Sequence, residues 1–240
     1  MDMTVQEISH TLRSLGNRGI AEHSRRFFKT GKGEYGEGDQ FLGIRVPVLR
    51  EQAKIFTNVP LADIQVLLGS VYHEERLCAL LLLVQKFSKA DDQERKILYD
   101  FYLKNTRHIN NWDLVDLSAY LIVGAYLADK DRKPLYILAR SHSLWERRIA
   151  IISTLSFIRK KQFGDTLSIA EMLLDDREDL MHKASGWMLR EVGKRDVAIL
   201  KKFLDAHGAR MPRTMLRYAI EKLPQSERLK YLNAPVGRSL

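Results

Sequence analysis

With 240 residues, 45% of them apolar, the chain can bury one substantial core or an elongated array of smaller ones. Lys and Arg number 39 against 30 acids, a net charge of +9, and residues 181–240 alone hold 13 Lys/Arg against 5 Asp/Glu. Cys78 is the only cysteine, which excludes an intrachain disulfide and a cysteine-based metal site, and the apolar run 77–84 around it is far too short to span a membrane.

The local basic excess favours a polyanionic partner, nucleic acid being the commonest, or else marks an ordinary basic surface. Cys78 reads as a small core residue. The opening MDMTVQEISH lacks the basic-then-apolar pattern of a secretory signal, so a reduced, cytoplasmic setting is expected.

Almost every segment reads as helix. Thr4 and Glu7 form a capping-box signature that opens the first. Pro47, Pro60, Pro134 and Pro212 each stand at the head of an apolar-periodic run, where proline favours a helix start. The expected helices are 4–16, 18–29, 46–57, 60–69, 73–88, 91–107, 112–129, 133–141, 144–160, 165–175, 178–194, 197–206 and 212–223. The stretch 30–42 is the one long irregular segment. Gly31, Gly33, Gly36 and Gly38 forbid a stable helix there, and no Lys-Ser/Thr ending makes it a phosphate-cradling loop. It is expected to be a mobile loop, with contact to a ligand as the alternative.

Helices joined by short links, with no alternating strand pattern, give an all-α fold, either bundle or solenoid. A weak internal repeat favours the solenoid. Four helices align at Arg76, Asp113, Arg147 and Lys183, and three residues on stand Ala79, Asp116, Ala150 and Gly186. Steps of this size belong to two-helix repeat arrays, and without tetratricopeptide signatures a HEAT-like array is preferred. The same register makes two residues odd. Asp116 carries a carboxylate where its counterparts are small, and Arg148 falls on the row of Leu77, Leu114 and Ala184. Charges on such rows should pair or face a cleft.

Trp112 and Asp116, four apart in NNWDLVD, share a helix face. With Arg148 in LWERRIAII and Trp187 in HKASGWMLRE they supply a carboxylate, a guanidinium and two indoles. That set can stabilise a cationic transition state, or can be a buried ion pair with aromatic packing. Lys183, Trp187, Arg190 and Lys194 form one helical stripe, which can track phosphates or be a tryptophan covered by Lys and Arg stems. Trp145 reads as core. Seven scattered histidines form no ligand cluster, and no nucleophile elbow or dinucleotide fingerprint is present.

At FLGIRVPVLR, NNWDLVD, LWERRIAII and KASGWMLREVGK the chain resembles the AlkD-type alkylpurine DNA glycosylases, and the resemblance runs through most of its length. It implies one domain over 1–240, a solenoid of HEAT-like repeats with a curved, basic, DNA-binding concave face. It implies excision of cationic N3- and N7-alkylated purines from duplex DNA, leaving an abasic site, without metal or cofactor. By the same resemblance Asp116 is the catalytic carboxylate, Trp112 and Trp187 flank the lesion's deoxyribose, and Arg148 supports the carboxylate and the DNA backbone. Phe27, Arg45, Arg50, Lys183 and Arg190 are the further DNA-contact candidates. Phe27 stands where some members have tyrosine, and the loop at 30–40 is longer than in the best-known members. A monomer, cytoplasmic and nucleoid-associated through DNA, is expected. The rival readings are a non-catalytic HEAT-like protein that binds nucleic-acid structures, and a protein-interaction scaffold.

Overall fold

The computed structural model describes residues 4–56 and 58–234. Thr57, at the end of the third expected helix, and Met1–Met3 of the opening segment lie outside them. The contacts divide the chain into two compact units, one ending at Ser118 and the other beginning at Ala119.

The first unit contains α1 (Val5–Ser14), α2 (Arg18–Phe27), α3 (Val46–Ile55), α4 (Leu61–Leu68), α5 (His73–Lys89), α6 (Asp92–Lys104), a 3-10 turn (Thr106–His108) and α7 (Trp112–Asp116). The Thr4–Glu7 capping box forms as the sequence predicts, with each residue accepting from the other's backbone N–H. A second box, Asp91 with Glu94, opens α6. Helix α5 is the axis of this unit. Every residue from His73 to Leu83 is buried, because α1, α3, α4, α6 and α7 all pack against it. A helix that is covered on every side can be apolar all round, as LCALLLLV is. Cys78 is fully buried within that run.

The second unit contains a π-helical turn (Tyr120–Gly124), α8 (Ala125–Leu127), α9 (Lys133–Ala139), α10 (Leu144–Ser153), α11 (Leu155–Arg159), α12 (Gly164–Met172), α13 (Asp179–Gly193), α14 (Val197–His207), α15 (Arg213–Ala219) and α16 (Gln225–Asn233). Helix α13 is its axis, packed against α10, α12, α14 and α15. Among the described residues there is no strand, only one isolated bridge between Gln40 and Tyr72. No helix among them is long and apolar enough to cross a membrane.

Two of the four helices aligned in the sequence, those at Arg76 and Arg147, share a hydrogen-bond pattern at their starts. Ser70 Oγ donates to Glu75 (2.5 Å), the Tyr72 N–H donates to Ser70 Oγ (3.1 Å), and Arg76 donates to the Ser70 carbonyl (2.9 Å). Ser141 Oγ donates to Glu146 (2.5 Å), the Ser143 N–H to Ser141 Oγ (3.0 Å), and Arg147 to the Ser141 carbonyl (3.0 Å). The same three bonds enter α5 in one unit and α10 in the other, so an all-α repeat fold follows from shared local chemistry.

Three expectations need correction. The helix expected over 112–129 is broken. Ser118 Oγ donates back to the Leu114 carbonyl (2.5 Å) and pairs with the Tyr102 hydroxyl (2.9 Å), and regular helix stops at Asp116. The helix expected over 144–160 is interrupted at Thr154, where Ser153 and Thr154 both donate back to carbonyls of their own helix. Helix α16, which the sequence reading ended short of, starts after Pro224 in the way that Pro212 starts α15.

Candidate functional site

The functional candidates of the first unit are organised around the start of α7. Asn111 is its N-cap, in an extended conformation, and its side-chain oxygen accepts the Trp112 N–H at 2.8 Å. The amide of Asn111 donates to Asp39 (3.2 Å), while Asp113 accepts from the Leu114 N–H (2.9 Å) and from His73 Nε2 (2.8 Å). The residues either side of Trp112 are therefore buried and tied down, whereas Trp112 itself is half-buried.

Its indole stacks on Phe28, 5.2 Å between centroids and 18° between planes, and meets the edge of Phe27 at 5.9 Å. Phe28 in turn lies 5.1 Å from Phe41 and 5.0 Å from His73, and Phe41 stacks on His73 at 4.7 Å. Phe27 is 57% exposed, so it offers an apolar edge to solvent beside the tryptophan. Asp116 stands one turn beyond Trp112, at the C-terminal end of the same short helix, and is half-buried. Burial, with the nearby Asp116 carboxylate adding to it, pushes the Tyr102 phenol well above its ordinary range.

Beneath the aromatic cluster lies a buried ionic network. His73 Nδ1 is 3.2 Å from Asp39, whose other oxygen accepts from Arg76 at 2.6 Å. Two carboxylates and two cationic groups balance in charge, which is how such a cluster tolerates burial. Burial opposes the charge on His73, but the Asp113 carboxylate and the hydrogen bonds the ring donates to both acids outweigh it and push the imidazolium up to about 9. Burial would likewise raise Asp39, but its bonds to His73 and Asn111 and the charge of Arg76 hold it below the usual carboxylate range.

The glycine-rich segment is tied into this unit rather than left as free chain. Glu34 and Glu37 accept from the backbone N–H groups of Gly31 and Gly33. Gly36 is buried so closely that a Cβ would lie 2.5 Å from the Phe28 carbonyl. Further on, the buried Glu74 carboxylate accepts from Leu42 (2.9 Å), Gly43 (2.7 Å) and Ile44 (3.2 Å). Gly43 sits at φ 85°, where a side chain would also strike the Asn17 carbonyl. Arg45 stands at the N-cap position of α3 without a side-chain capping bond and Arg50 lies on the helix, both exposed.

In the second unit Arg148 is buried at 4% exposure and donates to the Leu180 carbonyl at 2.6 Å, so it reaches the first turn of α13. Trp187 is half-buried on that helix. The cations of its stripe are each matched by an acid: Lys183 by Asp179 (2.8 Å), Arg190 by Glu221, and Lys194 by Glu191 (2.6 Å). Gly186, beside Trp187, lets α15 approach closely, since a Cβ there would lie 2.5 Å from the Met215 carbonyl. Trp145, read as core, is half-buried instead.

Phe27 and Trp112 are thus ring neighbours in the first unit, with Asp116 one turn beyond Trp112, and in the second unit Arg148 on α10 reaches the first turn of α13, the helix that carries Lys183, Trp187 and Arg190. Sequence reasoning missed Phe28, Phe41, Asp39, His73 and Asp113. A signal was available in the acidic and amide residues that flank Trp112, since polar side chains next to an indole at a helix start must find partners. Among the described residues no group of three or more His, Cys, Asp and Glu side chains could hold a metal ion.

A sequence model of the family described as "DNA alkylation repair enzyme" matches residues 8–223. Among solved structures the chain is similar to a "Predicted DNA alkylation repair enzyme from Enterococcus faecalis", at 17% identity and a TM-score of 0.67, covering 88% of this chain and 97% of that one. Comparison with curated proteins gave no match.

Proposed function

The chain belongs to the DNA alkylation repair enzyme family, and we propose that within DNA repair it is a monofunctional glycosylase that removes cationic N3- and N7-alkylated purines from duplex DNA. The observation that carries this reading is the short helix α7. It presents a half-buried indole, braced by Phe28, and one turn on a half-buried carboxylate, Asp116.

The chemistry suits that pair. An N3- or N7-alkylated purine is already cationic, so when the bond from C1′ to N9 breaks, the electron pair neutralises the departing ring. Little acid catalysis is needed. The sugar takes on positive charge, which Asp116 would stabilise electrostatically. Water adds to C1′ and gives up its proton, with Asp116 as the base that accepts it before release to solvent. The Trp112 and Trp187 indole faces would each contribute about 0.5–1 kcal/mol of attraction to the charged sugar. Arg148 would support the backbone, with Phe27, Arg45, Arg50, Lys183 and Arg190 as weaker contacts to DNA. The proposed protein acts as a monomer on double-stranded DNA and uses no cofactor.

Free methylated purine released from methylated duplex DNA by the wild-type protein tests the reading. Release supports it. Binding without release, weakening steeply with salt, would instead make the protein a non-catalytic DNA-binding module. Absence of both would leave a protein-interaction scaffold.

A further inference from the structure

His73, Asp39, Asn111 and Asp113, which surround the start of α7, are all buried. Both ring nitrogens of His73 face carboxylates, Nδ1 at 3.2 Å from Asp39 and Nε2 at 2.8 Å from Asp113. A neutral imidazole has one N–H and one lone pair, so only the imidazolium can donate to both. The network touches the start of α7 at the two residues that bracket Trp112, through Asn111 to Asp39 and Asp113 to His73. It touches the indole a second time through Phe28, which packs on both His73 and Trp112. We propose that His73 is a positioning residue: clamped between Asp39 and Asp113, it holds the Trp112 indole and the start of the Asp116 helix in one orientation. Its relevance to catalysis rests on the reading that Trp112 and Asp116 act in base release.

The charged groups that face His73 are Asp39 from the segment before α3, Asp113 from α7, and Arg76 from α5 itself. Loss of the ring proton would leave one buried carboxylate opposite a lone pair, an arrangement that costs free energy until something moves. Helix α7 is five residues long, so it has few internal bonds with which to resist. The loosened element would then be the one that carries both Trp112 and Asp116.

The test uses full-length protein labelled at the tryptophan indole nitrogens. The Trp112 signal is assigned by its loss in Trp112→Phe. From about pH 7 to about 10 the Trp112 indole signal should shift with a single titration while those of Trp145 and Trp187 stay in place. In His73→Gln the Trp112 signal should begin displaced and no longer titrate, and base release should fall roughly 10–100-fold in kcat with little change in KM. A Trp112 signal that neither titrates in wild type nor moves in His73→Gln overturns the proposal. If His73→Gln does not fold, Asp113→Asn and the wild-type titration decide it. If wild-type protein releases no base, the indole signals still give the answer on positioning, and only the glycosylase reading fails.

Discussion

The rings of Phe28 and Trp112 lie 5.2 Å apart and nearly parallel, while Phe27, next in the chain to Phe28, meets the same indole edge-on at 5.9 Å and is 57% exposed. One phenylalanine is a support and the other an edge that faces solvent. Phe28→Leu should therefore cost about 1 kcal/mol of stability, the value of an aromatic pair, and lower base release. Phe27→Leu should leave the unfolding free energy within about 0.5 kcal/mol of wild type and reduce affinity for duplex DNA. Urea unfolding and DNA titration of the two variants check this.

Stability should depend on pH through His73. Its folded-state value of about 9 lies above the ordinary 6.5, so below about pH 6.5 the ring is protonated in folded and unfolded chains alike and its contribution is fully present. That contribution declines as pH rises from 6.5 and is lost through about 9, a change on the order of 3 kcal/mol. Urea unfolding at pH 6, 8 and 10 should show wild type losing its advantage over His73→Gln across that window.

Gly186 and Gly164 predict opposite responses to one methyl group. A Cβ at Gly186 would lie 2.5 Å from the Met215 carbonyl and 2.6 Å from Tyr218 Cβ, whereas nothing lies within 4 Å of one at Gly164. Gly186→Ala should cost about 1–3 kcal/mol by forcing α13 and α15 apart, and should lower base release by moving Trp187. Gly164→Ala, in the first turn of α12, should be neutral or stabilise by up to about 1 kcal/mol. Thermal unfolding separates the two.

Arg45 and Arg50 are exposed, and no carboxylate pairs with either among the described residues. Arg190, in contrast, is engaged by Glu221. Replacing Arg45 or Arg50 with Ala should weaken DNA binding on all sequences and reduce the slope of log affinity against log salt by about 0.9 for each phosphate contact removed. Arg190→Ala should change it less, because its charge is already partly compensated. Fluorescence anisotropy over a range of salt concentrations reads all three.

The helices were legible because their start signals are local. Thr4, Pro47, Pro60, Pro134 and Pro212 announce themselves within one turn, and the apolar rows follow. The breaks were not, since those at Ser118 and Thr154 come from hydroxyls that bond back to the helix, and a hydroxyl in sequence does not say where it donates. Trp112 and Asp116 could be singled out from their four-residue spacing. His73, Asp39 and Phe28 could not, because their contacts join residues 34 (His73 to Asp39) to 84 (Phe28 to Trp112) positions apart, and only folding brings such residues to one indole. The repeat lies between these cases: the spacing of Arg76 and Arg147 suggests it, and their equivalent bonds to the Ser70 and Ser141 carbonyls give it physical content.

In the proposed reaction the Asp116 carboxylate at the end of α7 acts on the sugar. A single-turnover assay on a duplex bearing one N7-methylguanine, comparing wild type with Asp116→Asn, addresses it directly. The amide keeps the size and much of the hydrogen bonding of the acid but lacks its charge. Wild type should release the base, and Asp116→Asn should lose about a hundredfold or more of that rate while its DNA affinity and unfolding midpoint stay close to wild type. Release by folded Asp116→Asn at the wild-type rate would contradict it.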